Sequence, residues 1–299
     1  MTSGAAGSVG VAAPRFERVA IVGLGLIGGS LALAARRKGV FGRVTGVGRG
    51  RPNLEEGLAR GAIDVATADV AQAVRDADLV VLGVPVASMA SVVATLAPAL
   101  AANAIVTDVG SVKAPLIAEL EPLLAQRGRF VAGHPIAGTE RSGMAAAFPE
   151  LFEGRCCILT PTSRTEATAL AAVRGLWEAV GMRVVTMDAA RHDHVLALVS
   201  HLPHVVAYAL AGEVEARESR GEELVRFSAG GLRDFTRVAA SDPALWRDIL
   251  SMNRVEVASA IRGYRERLAH LESLVAAGRV DELERELERA RRLRVRLES

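Results

Sequence analysis

Residues 18–28, RVAIVGLGLIG, constrain the fold more tightly than any other stretch. An apolar run stops at Gly23, Gly25 and Gly28, spaced G-x-G-x-x-G, and GGSLALAARRKG continues with helical composition to a glycine stop at Gly39. A strand that enters such a turn and leaves as a helix is the first βα unit of a mostly parallel sheet. The glycines permit a tight turn and close backbone approach. The start of the helix presents unpaired N–H groups and the positive end of its dipole. Gly23, Leu24, Gly25, Leu26, Ile27 and Gly28 are therefore expected to hold a dinucleotide pyrophosphate. A plain strand–helix turn is the alternative.

The pattern repeats downstream. RVTGVGR reads as a second strand and NLEEGLARG as a short helix with Asn53 as its cap. Residues 79–107 carry no charge and are long enough to span a bilayer, but Gly83, Pro85, Pro98 and Asn103 divide them. The stretch reads as a buried strand, a helix and another buried strand. FVAGHPIAG is expected to be the next strand with its exit loop, and CCILTP and RVVTMD to close the sheet around the helix TEATALAAVRGLWEAVG. The fold class is α/β, with a doubly wound, mostly parallel sheet over residues 16–188. After Asp188 the strand signals stop. Residues 189–299 read as helices, bent at Pro203, with Asp242 and Pro243 opening one of them. The tail sets Leu283, Leu287, Ala290 and Leu297 near one face, with opposite charges four apart at Asp281/Arg285 and Glu288/Arg292. Residues 1–15 read as a disordered lead-in without the basic and apolar regions of a signal peptide.

Charge and cysteine content narrow the function class. A net charge of +2 over 299 residues gives no concentrated basic face for nucleic acid. The adjacent Cys156 and Cys157 have no third partner and suit a reducing cytosol, so cytoplasmic residence is expected, with no membrane partner.

Ligands of open α/β sheets sit beyond the carboxyl ends of the strands, so Val84, Pro85 and Asp108 are cofactor candidates. The second strand usually ends near an acid that holds the adenosine ribose. Here it ends in Val47-Gly48-Arg49-Gly50-Arg51, without an acid. Arg49 and Arg51, helped by Asn53, suit a 2′-phosphate, so NADP is expected ahead of NAD; solvated arginines are the alternative. Two loops, DVGSVK and GHPIAGTE, follow consecutive strands and can converge on the nicotinamide. They would bring Ser111, Lys113 and His134 together. A neutral histidine can accept an alcohol proton as hydride leaves the same carbon, and an ordinary histidine pKa would place the loss of activity near pH 6–7. Spacing alone leaves His134 equally open to a structural reading.

GLGLIGGSLA, DVGSVK, GHPIAGTERSG, SHLPH and GGLRDFTRVAASDPALWRDI stand in the order found in the prephenate/arogenate dehydrogenase family, which the chain resembles from about residue 18 to 265. The resemblance implies NAD(P)-dependent conversion of prephenate to 4-hydroxyphenylpyruvate, of arogenate to tyrosine, or both, by a homodimer joined through its helical part. It implies that His134 assists the substrate hydroxyl with Ser111 as its hydrogen-bonding helper. It further implies that His204 and Ser200 touch substrate, Arg237 binds the ring carboxylate, and Trp246 reaches toward the partner's site. Thr139 and Glu140 fall beside the substrate, and Glu140, Arg233 and Asp234 would form a gating ionic network.

Other readings remain. His192-x-His194 and His201-x-x-His204 suggest metal, but no carboxylate or cysteine completes a set, so none is expected. A β-hydroxyacid dehydrogenase would need a catalytic lysine after the dinucleotide domain, and no lysine follows Lys113. A catalytically silent dinucleotide sensor would have no use for His134, Ser111 and Arg237 together.

Overall fold

A computed structural model describes residues 14–297; most of the expected lead-in lies outside them. Six strands, β1 (Phe16–Val22), β2 (Phe41–Val47), β3 (Val65–Thr67), β4 (Leu79–Leu82), β5 (Ile105–Asp108) and β6 (Arg129–Val131), form one sheet in the order β3-β2-β1-β4-β5-β6. Every neighbouring pair is parallel. The crossovers run through α1 (Leu26–Arg37), α2 (Arg51–Ala59), α3 (Val70–Val74), α4 (Val86–Leu96) and α5 (Ala114–Leu124). Parallel strands covered on both faces need apolar residues at every position. In β1, Val19 and Ile21 join the core on one side while Ala20 and Val22 join the core on the other. The uncharged stretch 79–107 is thereby absorbed as β4, α4 and β5.

The next strands depart from expectation. FVAGHPIAG is not one strand with a loop: β6 ends at Val131, and β7 (Gly133–Pro135) begins a second sheet. That sheet has the order β7-β8-β9, with β8 at Cys156–Leu159 and β9 at Arg183–Thr186. β7 runs antiparallel to β8 and pairs His134 with Ile158, whereas β8 and β9 are parallel across α6 (Ala167–Ala179). CCILTP and RVVTMD therefore close a small separate sheet. α2 is not capped by Asn53 either: it starts at Arg51 after Gly50, and Asn53 Oδ1 instead accepts the Met144 N–H at 3.0 Å.

The remaining chain is helical: α7 (Ala189–Leu196), α8 (Leu202–Glu218), α9 (Gly230–Thr236), α10 (Pro243–Met252), α11 (Arg254–Ala276) and α12 (Val280–Arg296). A π-helical turn, Ala197–His201, joins α7 to α8 just ahead of Pro203. Asp242 caps α10, accepting the Ala244 N–H at 2.8 Å. Along α12 and its N-cap, ion pairs three residues apart form at Arg279–Glu282, Glu286–Arg289 and Glu288–Arg291, and Glu286 also meets Arg267 of α11.

Candidate active site

The strand order reverses between β1 and β4, which opens a crevice at their carboxyl ends. Gly23 and Gly83 meet back to back there. A Cβ on Gly23, whose φ is +102°, would lie 2.5 Å from the Gly83 carbonyl carbon. A Cβ on Gly28 would lie 2.5 Å from the Gly23 oxygen. Gly25 differs: it precedes α1 with no side-chain cap, and a Cβ there would meet nothing within 4 Å. The backbone is thus packed tightly behind the turn and open in front of it, before uncapped N–H groups. This cradle fits an anionic group such as a pyrophosphate. Val84 and Pro85 continue from β4 along the same crevice. Arg49 and Arg51 lie exposed beyond β2, and neither makes an ion pair among the described residues.

A cavity of about 400 Å³ joins the strand ends to the helical part. Ser111 and His134 line it from the sheet side, with Thr139 and Glu140 from the segment after β7. Ser200, His204, Arg237 and Trp246 line it from the helices. All eight residues expected around the substrate therefore share one cavity. Their contacts differ from expectation in several places.

His134 is 8% exposed, and its partner is His192: His134 Nδ1 lies 2.9 Å from His192 Nε2. No hydrogen bond links it to Ser111 among the described contacts. Burial, and then the nearby His192, Lys113 and His201, hold its pKa well below the usual histidine value of 6.5. His192 in turn reaches Asp193, Nδ1 to Oδ1 at 2.8 Å. Asp193 also takes the Lys113 and Ala114 backbone N–H groups, both at 2.8 Å, and so caps α5 from α7.

Lys113 does not face the nicotinamide side. It is fully buried, ion-pairs with Asp108 and donates to the Gly133 oxygen at 2.7 Å. Asp108, expected at the cofactor, turns its side chain inward. Its buried carboxylate accepts the Gly110 N–H at 2.8 Å and the Gly133 N–H at 3.1 Å, so it ties β5 to β7.

On the helical side, His204 donates from Nδ1 to the Ser200 carbonyl at 2.9 Å and stacks on Trp246, with ring centroids 3.6 Å apart. Trp246 is 7% exposed and lines its own chain's cavity. Arg237, not Arg233 or Asp234, contacts Glu140, at 3.2 Å. His201, weighed above as a metal ligand, has its Nδ1 3.2 Å from Asn253 Nδ2, and burial pushes its pKa down to about 4. Asn253 also donates to the Asp193 carbonyl at 2.9 Å. Among the described residues, no group of three His, Cys, Asp or Glu side chains is placed to hold a metal ion.

Asp193 and Asn253 are site residues that sequence reasoning missed, and His192, read there only against a metal, is the partner of His134. The adjacency of a histidine and an aspartate just after Asp188 was the available signal, but their common target lies on β7 and α5, far away in the chain.

Two family models match. The prephenate dehydrogenase nucleotide-binding domain covers residues 31–186, and the prephenate dehydrogenase dimerization domain covers 188–289. The cyclohexadienyl dehydrogenase of Zymomonas mobilis is 40% identical over 285 residues, which are 95% of this chain and 97% of that protein. The prephenate dehydrogenase of Bacillus subtilis is 36% identical over 81% of this chain and 65% of its own length. Among solved structures, prephenate dehydrogenase from Aquifex aeolicus in complex with hydroxyphenyl propionate and NAD+ has a TM-score of 0.89 and 38% identity, covering 94% of this chain and 98% of that one. Synechocystis arogenate dehydrogenase has a TM-score of 0.75 and 32% identity, covering 93% and 98%.

Proposed function

The chain belongs to the prephenate dehydrogenase family, and from that premise we propose that it decarboxylates prephenate, arogenate or both oxidatively at the cavity around His134. It is an NAD(P)-dependent oxidoreductase of tyrosine biosynthesis. One observation carries the placement of the chemistry: a buried imidazole, in surroundings that disfavour its charged form, shares a cavity with a guanidinium beside the glycine-turn crevice. The nicotinamide, when bound, supplies the hydride acceptor. Gly23–Gly28 would hold the pyrophosphate, with Val84 and Pro85 along the crevice. His134 takes the proton of the hydroxyl whose carbon loses hydride, and Ser111 lies where a hydroxyl can steady that oxygen. Arg237 binds the departing ring carboxylate by a charge-assisted contact, exchanging Glu140 for substrate. His204 and Ser200 face the substrate body, and Trp246 backs His204. Loss of carbon dioxide leaves an aromatic ring, so the protein has only to orient the groups and accept one proton.

We further propose a preference for NADP. β2 runs out into Gly48-Arg49-Gly50-Arg51 with no acid to repel a 2′-phosphate, and both guanidinium groups are exposed and free to pair. The Asn53 oxygen is occupied by Met144, which leaves its amide N–H groups as donors. Residues 16–188 would serve the dinucleotide and 189–299 the substrate and a homodimer. Leu198, Val199, Val255 and Val275 expose apolar surface on those helices.

Steady-state turnover with each substrate and each cofactor tests these readings. Oxidation of neither substrate would refute the catalytic proposal. A wild-type enzyme that uses NAD as efficiently as NADP, unchanged by Arg49→Asp, would refute the cofactor preference.

A further inference from the structure

We propose that His192 and Asp193 are positioning residues that fix His134 in the one tautomer able to accept the substrate proton; this rests on the oxidoreductase reading above. The Asp193 carboxylate is an acceptor on both oxygens. Oδ1 receives the Lys113 N–H and Oδ2 the Ala114 N–H, each at 2.8 Å. The 2.8 Å contact from His192 Nδ1 to Oδ1 therefore requires the hydrogen on His192 Nδ1. A neutral His192 then has a lone pair at Nε2. The 2.9 Å contact to His134 Nδ1 closes as a hydrogen bond only when His134 carries its hydrogen on Nδ1. Nε2 of His134 is left bare.

The opposite tautomer would set two lone pairs against each other at 2.9 Å in a site where His192 is fully buried, at the cost of a buried hydrogen bond. The order of roles is thus dictated from the helix cap inward. The α5 amides orient Asp193, Asp193 orients His192, and His192 orients His134. In the reaction the substrate O–H bond breaks and its proton joins His134 Nε2. The bonding pair moves into the carbon–oxygen bond as hydride leaves that carbon for the nicotinamide. The imidazolium so formed keeps Nδ1–H on His192, one ring away from the Asp193 carboxylate. The other ionisable groups facing the pair are Lys113, already paired with Asp108, and His201. The chemistry matches the acid–base–orienter logic of hydrolase triads, with an imidazole interposed between carboxylate and base.

Two measurements on the full-length enzyme test the proposal. His192→Leu removes the acceptor and should lower kcat about 100-fold, with substrate KM and dinucleotide affinity within about twofold of wild type. His192→Gln restores an oxygen near the Nε2 position and should recover most of that loss. Nitrogen-15 shifts of the His134 ring, read in the wild-type protein without substrate, should show a protonated Nδ1 and a bare Nε2. A proton on Nε2, or a His192→Leu variant with wild-type kcat, would overturn the proposal. The ring shifts need neither turnover nor a folded variant. A wild-type protein with the expected tautomer but no turnover of prephenate or arogenate would refute the family activity instead.

Discussion

At the scale of single residues, His134 shows how burial alters a functional expectation. An ordinary histidine would cost activity between about pH 6 and 7. Here burial, with Lys113 and two further histidines close by, favours the neutral ring, so the acid limb of kcat should fall below pH 6.5, and a pH–rate profile reads this directly. His134→Asn should cut kcat about 100-fold or more while cofactor binding holds. Arg237 carries a different expectation. Its contact with Glu140 is exposed, with side chains 63% and 40% accessible, so breaking it costs little and substrate can displace it. Arg237→Gln should raise the substrate KM strongly and leave cofactor affinity unchanged, as separate titrations would show. Equal loss of both would make Arg237 structural. His134 stood out in the sequence as an imidazole in a glycine-rich loop, but spacing alone left its role open, and Arg237 was marked only by the resemblance. Their partners were not legible. Which nitrogen of His134 meets which neighbour depends on α7 docking against β7, and no local spacing encodes that.

At the scale of elements, the first βα turn was readable because every step of it is local. The strand, the glycines and the helix follow one another within about a dozen residues. The turn also separates two kinds of glycine. A Cβ at Gly23 would collide with backbone at 2.5 Å in a conformation with positive φ, so Gly23→Ala should lower the melting temperature. A Cβ at Gly25 meets open space, so Gly25→Ala should melt near wild type yet bind dinucleotide more weakly, since the methyl group occupies the cradle. Thermal denaturation and cofactor titration of the two variants give opposite patterns if the cradle reading is right. The second sheet was not readable. β7 has only three residues, GHP, with no alternation, and its partner β8 arrives some twenty residues later. The same non-local pairing hid the true place of His134 on a strand and the pull of Met144 on Asn53. The buried contacts of Lys113 and Asp108 were hidden for a related reason. Charged residues at strand ends usually face ligand or solvent, whereas this pair is buried as the clasp between β5 and β7.

At the scale of the whole molecule, four histidines gather where the sheet meets the helices, and burial lowers the pKa of each: His134, His192, His201 and His204. In the unfolded chain they titrate near 6.5. Below that pH the unfolded state binds more protons than the folded one, so stability declines with acidification. For His201 the window runs from 6.5 down to about 4. The melting temperature should therefore fall steadily from pH 7 to pH 4, and a His201→Asn variant should flatten the slope. An unchanged melting temperature across that range would contradict the buried neutral assignments. Assembly is a second property at this scale. The exposed apolar residues of the helices should be covered in a homodimer, measurable by light scattering at assay concentration. A fully active monomer would exclude that arrangement.

Asp193 finally bears on how such a protein can be recombined. Its side chain caps α5, its backbone carbonyl holds Asn253 of the helical part, and its neighbour His192 meets β7. Sheet and helices are therefore not exchangeable modules, although the chain divides into two at about this point. A chimera that joins the sheet of one relative to the helices of another inherits a working base only when residues 113–114, 133–135, 192–193 and 253 travel as one matched set.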